Sequence, residues 1–300
     1  MTTTDRARGA RRAFELHEPA APSSPLVFAS PHAGRCYPRD LMQATDLRPE
    51  MLRRSEDAYV DLLIADAARA ANVPFLNALF PRTYVDVNRD ARELDPAMFC
   101  DPLPADVDAR SARVAAGLGA IPRIVADGHE IYGAPLRYAD ARRRLQTCYA
   151  PYHDALQRLI DRTAARFGCA VLIDWHSMPS AGLSDHVRGP APDIVLGDRF
   201  GASAAGPVAA TVERLLAASG FFVVRNTPYA GGYVAAAYGR PAAGRHVVQI
   251  EINRRLYLDE ARVELAAGFE PVRRAIAGFV SSLGAALADA PLAPRLSAAE

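Results

Sequence analysis

The sequence predicts one α/β domain, built on a mixed, mostly parallel sheet that lies between helices. Three observations carry that reading. Short apolar runs alternate with segments of helical length, so successive strands need crossover connections and both faces of the sheet need covering. Half of the 300 residues are apolar and 23% are charged, which allows a sizeable core and is far from a disordered composition. No fixed-period repeat divides the chain, and no interior linker has a core-like segment on each side. The expected organisation is a flexible arm over residues 1–25, a single catalytic domain over 26–290 and a tail over 291–300.

Taken in order, the arm ends in a Pro/Ala/Ser segment over residues 19–25. Residues 26–30 are short and apolar, suited to a strand, and run into the turn Pro31-His32-Ala33-Gly34. Over residues 49–71, Met51, Leu52, Tyr59, Leu62, Leu63 and Ala67 recur at helical spacing, with Glu56, Asp57 and Asp61 between them. Residues 73–80 read as a second strand. Residues 81–122 contain Pro and Gly with little periodicity, and a loop that long in a compact domain usually has a function. A long helical pattern covers 138–168, with Pro151 as a possible interruption. Residues 169–173 form an apolar strand that ends in Asp174-Trp175-His176, and 179–188 read as loop. Further strands are expected at 193–196, 221–224 and 247–252, and helices at 207–219 and 259–288.

All 35 basic residues are arginine, against 34 acids, for a net charge of +1. The absence of lysine excludes Schiff-base and P-loop lysine chemistry. A near-neutral balance gives no argument for a nucleic-acid or anionic-membrane partner. There is no Rossmann or Walker motif and no Gly-x-Ser-x-Gly elbow around Ser177, so nucleotide cofactors and serine-hydrolase chemistry lack support. Cys36, Cys100, Cys148 and Cys169 have no metal-ligand spacing and are too sparse to staple the chain, which suits a reducing cytoplasmic setting. Residues 1–18 are polar and arginine-rich, without the apolar run of a secretion signal, and the uncharged stretch 275–288 is too short to span a bilayer. A cytoplasmic monomer or small homo-oligomer is expected.

Ligands of open α/β sheets bind beyond the carboxyl ends of the strands. His32, His176 and Glu251 occupy such positions. Each has a plain alternative. His32 can cap its turn, His176 can be a satisfied core histidine beside Trp175, and Glu251 can pair with Arg254 or Arg255. Two imidazoles with a carboxylate such as Asp57, at a helix start, make a common catalytic zinc set with a position left for water. Glu251, near the end of the apolar strand over 247–252, is a costly carboxylate unless paired or set beside a metal, where it can move protons. Asp174 can orient an imidazole, with His32 the easier partner to expect. The block Pro81-Arg82-Thr83-Tyr84-Val85-Asp86-Val87-Asn88-Arg89-Asp90 offers planar guanidiniums that suit a carboxylate, or a solvated arginine-rich edge. Asn226-Thr227-Pro228-Tyr229-Ala230-Gly231-Gly232-Tyr233 is a permissive loop that can close over a small ligand. His129 and His153 stand in ordinary loop and helix contexts, outside this set.

These blocks, in their order, resemble the N-formylglutamate amidohydrolase family across most of residues 26–260. The resemblance rests on Ser30-Pro31-His32-Ala33-Gly34 with Tyr37-Pro38, on Glu56-Asp57, and on Arg82 with Val85-Asp86-Val87-Asn88-Arg89. It continues through Asp174-Trp175-His176-Ser177-Met178-Pro179, Asp193-Ile194-Val195-Leu196-Gly197-Asp198 and the Gly-Gly loop, and ends in Gln249-Ile250-Glu251-Ile252-Asn253-Arg254 with Tyr257. It implies a fold similar to the zinc carboxypeptidase and aspartoacylase group, of the phosphorylase/hydrolase-like kind. It also implies hydrolysis of N-formyl-L-glutamate to formate and L-glutamate, late in histidine degradation. By that resemblance a zinc ion is held by His32, Asp57 and His176, and Glu251 is the general base. Arg82, Asn88, Arg89 and Arg254 then take the small anionic N-acyl amino acid. Arg35 stands where the His-x-x-Glu pattern of the wider group needs its glutamate, so Glu56 is the alternative third ligand. The alternatives in activity are a deacylase for another N-acyl amino acid or short peptide, and a non-catalytic ligand-binding member.

Overall fold

A computed structural model of the chain describes residues 12–125, 128–181, 183 and 190–288. Its centre is a seven-stranded sheet. In chain order the strands are β1 (Phe14–His17), β2 (Leu26–Ser30), β3 (Phe75–Ala78), β4 (Ala170–Met178), β5 (Ile194–Gly197), β6 (Val223–Arg225) and β7 (Arg245–Asn253). In space they run β1-β3-β2-β4-β7-β5-β6. β3, β2, β4 and β7 are mutually parallel, whereas β1 and β5 join antiparallel to their inner neighbours. A mixed, mostly parallel sheet flanked by helices is therefore the architecture, as the alternating pattern required.

Side chains alternate across each strand, so the sheet separates two apolar layers. Leu26, Phe28, Ile173, Trp175, Val248 and Ile250 point to one layer, packed under α3 (Val60–Ala70), α7 (Gly206–Ala218) and α9 (Phe269–Ala288). Val27, Ala29, Leu172 and Val247 point to the other, where α5 (Tyr138–Arg144), α6 (Ala150–Phe167) and the segment 81–136 cover the sheet. The even-numbered residues of β4 and the odd-numbered residues of β7 share this second face. Asp174 and His176 therefore stand beside Gln249 and Glu251. Registry pairs His176 directly with Glu251 across the two parallel central strands.

Four expectations need correcting. Residues 14–17 are not part of a loose arm, since they pair with β3 as an antiparallel edge strand; residues 1–11 and the tail 291–300 lie outside the described residues. The helical pattern over 49–71 is broken into α2 (Pro49–Arg53) and α3, because Tyr59 adopts a left-handed backbone with φ of 63°. Residues 145–149 form a π turn between α5 and α6. Pro151, the second residue of α6, lacks the N–H that a regular turn would bond to Thr147, so the wider turn precedes it. Residues 258–265 make a two-stranded ribbon, β8 (Leu258–Asp259) with β9 (Glu264–Leu265), before α9 begins. Most of the loop expected at 179–188 lies outside the described residues. Among the described residues, no helix is long and apolar enough to cross a membrane.

Candidate active site

His32 leaves β2 in a turn that lies flat on the chain emerging from β3. A Cβ on Gly34 would stand 2.2 Å from the Phe80 carbonyl oxygen, so glycine is needed for that approach. The Cys36 N–H anchors the turn on the Leu79 carbonyl at 2.8 Å. Asp57 lies in the break between α2 and α3, and its N–H donates to the His32 carbonyl at 3.0 Å. This one backbone bond brings the carboxylate to the sheet end. His176 arrives from within β4, one strand away.

The three side chains converge. Asp57 Oδ2 lies 3.3 Å from His32 Nδ1 and 3.0 Å from His176 Nδ1. One ligand atom from each residue lies within 4.8 Å of the others, and all three residues are buried. Tetrahedral bonds of ~2.0–2.1 Å put neighbouring ligand atoms about 3.3 Å apart, close to the observed spacings. The far nitrogens are also held: His32 Nε2 is 2.8 Å from Asp86 Oδ1, and His176 Nε2 is 3.0 Å from Asp174 Oδ2. An imidazole that donates through Nε2 turns the lone pair of Nδ1 toward the cluster. His32 Nδ1 is buried with no hydrogen-bond partner among the described residues. Such an orphaned acceptor beside a carboxylate is satisfied by a cation. The donor set fits a metal ion.

Asp174 holds His176 rather than His32, which corrects the expectation from chain adjacency. Residues two apart on a strand point to the same face, so the pair can meet directly. Glu56 turns the other way: its carboxylate accepts from the Tyr37 hydroxyl at 2.6 Å and from Arg53 Nε at 3.4 Å. Of the two adjacent acids, Asp57 is the one in the cluster.

Charge reinforces the geometry. Burial pushes the Asp57 carboxyl up, but the hydrogen bond from His176 and the close approach of both imidazoles outweigh it and hold its pKa well below the ordinary value. Burial likewise opposes ionisation of Asp86, and Arg82, His32 and Arg89 reverse it. Burial disfavours the cationic form of His176, while Asp174 and Asp57 favour it and raise its pKa well above the usual imidazole range. A proton and a metal ion thus compete for this nitrogen.

Glu251 faces the cluster from β7. Burial raises its pKa against the pull of His176, Arg82 and His32. Gln249 Nε2 donates to Glu251 Oε1 at 2.8 Å, while Gln249 Oε1 accepts the Gly232 N–H at 2.8 Å. The plain alternative for Glu251 is not what the structure shows. Arg254 bonds Asp57 Oδ1, the Glu56 and Arg54 carbonyls and Ser177 Oγ, and Arg255 reaches Asp193.

These groups line a cavity of about 430 Å³ together with Arg82, Asn88, Arg89 and Arg254. Arg82 Nη2 donates to Asp86 Oδ2 at 2.7 Å, and Arg89 donates to the Asn88 and Leu118 carbonyls. Asn88 accepts the Val234 N–H through Oδ1 at 2.8 Å, which joins the arginine block to the Gly-Gly loop. A Cβ at Gly232 would stand 2.3 Å from Asn88 Nδ2, so this contact too requires glycine.

Reasoning from the sequence missed several members of the site. Asp86 sat unassigned inside the arginine block. Gln249 carried a usable signal, since it lies two residues before Glu251 on one strand. His153, set aside as an ordinary helix residue, meets the Val87 carbonyl through Nε2 at 2.9 Å and the Tyr238 hydroxyl through Nδ1 at 2.7 Å, directly behind Asn88. Arg113 lines the cavity from the segment 81–136 and had no sequence signal at all.

Comparison with known proteins adds three findings. The sequence model of the N-formylglutamate amidohydrolase family matches residues 24–258. Proteins named N-formylglutamate deformylase from Pseudomonas putida and Pseudomonas aeruginosa are 28% and 30% identical over 244 residues, 79% of this chain and 82% and 83% of theirs. A crystal structure of N-formylglutamate amidohydrolase from Ralstonia eutropha JMP134 superposes with a TM-score of 0.87 at 35% identity, covering 92% of this chain and 99% of that one. A gene product of Agrobacterium tumefaciens, 19% identical, shares the fold with a TM-score of 0.62 over 93% of this chain and 95% of its own.

Proposed function

Because the chain belongs to the N-formylglutamate amidohydrolase family, we propose that it hydrolyses the formamide of N-formyl-L-glutamate to formate and L-glutamate, with a zinc ion held by His32, Asp57 and His176. The observation that carries this reading is the buried cluster of those three residues facing Glu251 inside an arginine-lined cavity. Names borne by relatives of similar length support the substrate.

When bound, the metal supplies Lewis acidity toward the formyl oxygen and lowers the pKa of a water at the site. Glu251 accepts a proton from the water as its oxygen bonds the formyl carbon, and returns that proton to the nitrogen as the C–N bond breaks. Its raised pKa suits both halves of the transfer, and Gln249 fixes the carboxylate for it. Asp86 and Asp174 keep both imidazoles turned by their Nε2 atoms. Arg82 and Arg89 face the anionic substrate, with Asn88 tying their loop to the Gly-Gly loop. Arg254 belongs to the same wall, and its bonds to Asp57 and Ser177 give it the further task of orienting the carboxylate ligand.

The test is formate release from N-formyl-L-glutamate by the purified protein, before and after chelation, with metal content measured on the same samples. The expected result is turnover that disappears on chelation and returns with zinc. N-acetyl- and N-succinyl-glutamate should be poor substrates. Full turnover by metal-free protein, or no formate from zinc-loaded protein, refutes the proposal.

A further inference from the structure

Five arginines line the cavity, and the contacts of Arg82, Arg89, Arg113 and Arg254 define how free each of these four is. Arg82 is tied to Asp86 at 2.7 Å, Arg89 to two carbonyls, and Arg254 to four acceptors. Arg113 differs from these. Among the described residues its guanidinium makes no hydrogen bond, and its ionic neighbour is Glu93, 3.8 Å away. That carboxylate already accepts the Asp90 N–H at 3.2 Å.

The backbone under Arg113 is nevertheless fixed. Ser111 caps the short helix α4 (Ala112–Ala115) through a 3.1 Å bond from the Val114 N–H. The Arg113 carbonyl accepts the Leu118 N–H at 2.8 Å, and the Leu118 carbonyl in turn holds Arg89. One short segment therefore carries the loosely paired Arg113 and holds the firmly bonded Arg89 at the same cavity. The side chain of Arg113 is 38% exposed, as a group at the cavity mouth is. Arg82, Arg89 and Arg113 line the same cavity, and burial with repulsion from the other two lowers the Arg89 pKa against the pull of Asp86 and Glu93. Arg82 sits 2.7 Å from Asp86 whereas Arg113 faces Glu93 across 3.8 Å, so the Arg113 pair is the looser one and the one that a ligand carboxylate can replace.

We infer that Arg113 is a specificity-determining residue that binds the side-chain carboxylate of the acylated amino acid. The inference rests on the reading of the site as an N-formylglutamate hydrolase and deepens it. An arginine held by one 3.8 Å ion pair over a fixed backbone can swing onto a second carboxylate while Arg82 and Arg89 stay with the first. This geometry favours a dicarboxylic substrate over its amide at the mouth of the cavity.

The test compares wild type with Arg113→Gln on N-formyl-L-glutamate and on N-formyl-L-glutamine. Loss of a charge-assisted pair is worth ~10–100-fold, so R113Q should raise KM for the glutamate compound by that factor with kcat little changed. The glutamine compound should change less than about twofold, on the same scale, and the preference between the two should collapse. R113K should restore part of it. Calorimetric binding of L-glutamate and L-glutamine supplies a readout that needs no turnover: R113Q should weaken only the first. Equal losses on both compounds, an unchanged preference, or no binding of glutamate by wild type overturns the inference. Wild type that binds glutamate through Arg113 yet releases no formate leaves the inference standing and refutes the proposed reaction instead.

Discussion

Replacing His153 by glutamine tests how the helix behind the arginine block supports it. His153 is stacked on Tyr238 and packed against Tyr149, with its Nε2 on the Val87 carbonyl and its Nδ1 on the Tyr238 hydroxyl. One N–H donor and one acceptor describe a neutral imidazole. Burial lowers its pKa to about 4, and the Val87 carbonyl and the nearby Asp174 and Asp154 only partly offset this. The unfolded chain takes up that proton near the ordinary 6.5, while the folded protein resists it until about 4. Between those values the unfolded state binds more protons, so stability falls as the pH falls. The contribution is present in full above pH 6.5 and gone below about 4, and the gap amounts to ~3 kcal/mol. Glutamine keeps a donor and an acceptor but does not titrate.

Urea unfolding of both proteins, measured at intervals from pH 7 down to about 4.5, isolates this term by subtraction, because every other titrating group is common to both. Over that range the wild type should lose ~2–3 kcal/mol relative to H153Q. Parallel pH profiles, with a difference constant to about 0.5 kcal/mol, would falsify the assignment of a neutral buried imidazole.

Three further outcomes follow from the site. Glu251→Gln should lower kcat by ~10²–10⁴-fold while bound metal stays at the wild-type level, checked by formate release and elemental analysis. Asp57→Asn should lose metal on dialysis whereas Glu56→Gln retains it, since only Asp57 touches both imidazoles; the reverse order would sink the ligand assignment. Gly232→Ala places a methyl 2.3 Å from Asn88 Nδ2 and should lower both melting temperature and activity, while Gly278→Ala, in α9 with nothing within 4 Å of its Cβ, should stabilise by ~0.5–1 kcal/mol.

Much of the fold was readable because its central strands carry buried apolar runs, and one such as residues 26–30 admits few other assignments. The elements that escaped are those set by tertiary contact. Nothing in Phe14–His17 says that it will pair with β3, and nothing in the periodicity of 49–71 shows that Tyr59 will turn left-handed. The convergence of His32, Asp57 and His176 was likewise invisible in their spacing. It depends on strand order, on the close packing at Gly34 and on the bond from Asp57 N–H to the His32 carbonyl. Supporting groups divide along the same line. Gln249 and Asp174 were recoverable from the two-residue period of a strand, whereas Asp86, His153 and Arg113 reach the site across the fold.

The buried charges explain why these parts belong together. Asp57, Asp86, Asp174 and Glu251 are buried, whereas of the five arginines that line the cavity only Arg254 is. Isolated buried charge is too costly to persist, so each of these acids stands beside an arginine, an imidazole or an amide. At His176 the Asp174 and Asp57 carboxylates favour a proton on the same ring that faces the cluster. In the proposed reading a divalent ion takes the place of that proton and adds to the positive charge that the arginines of the wall already supply. That sign suits the N-acyl dicarboxylate of the proposed reaction, so the acids that orient the imidazoles and the arginines around them act together on the approach of an anion.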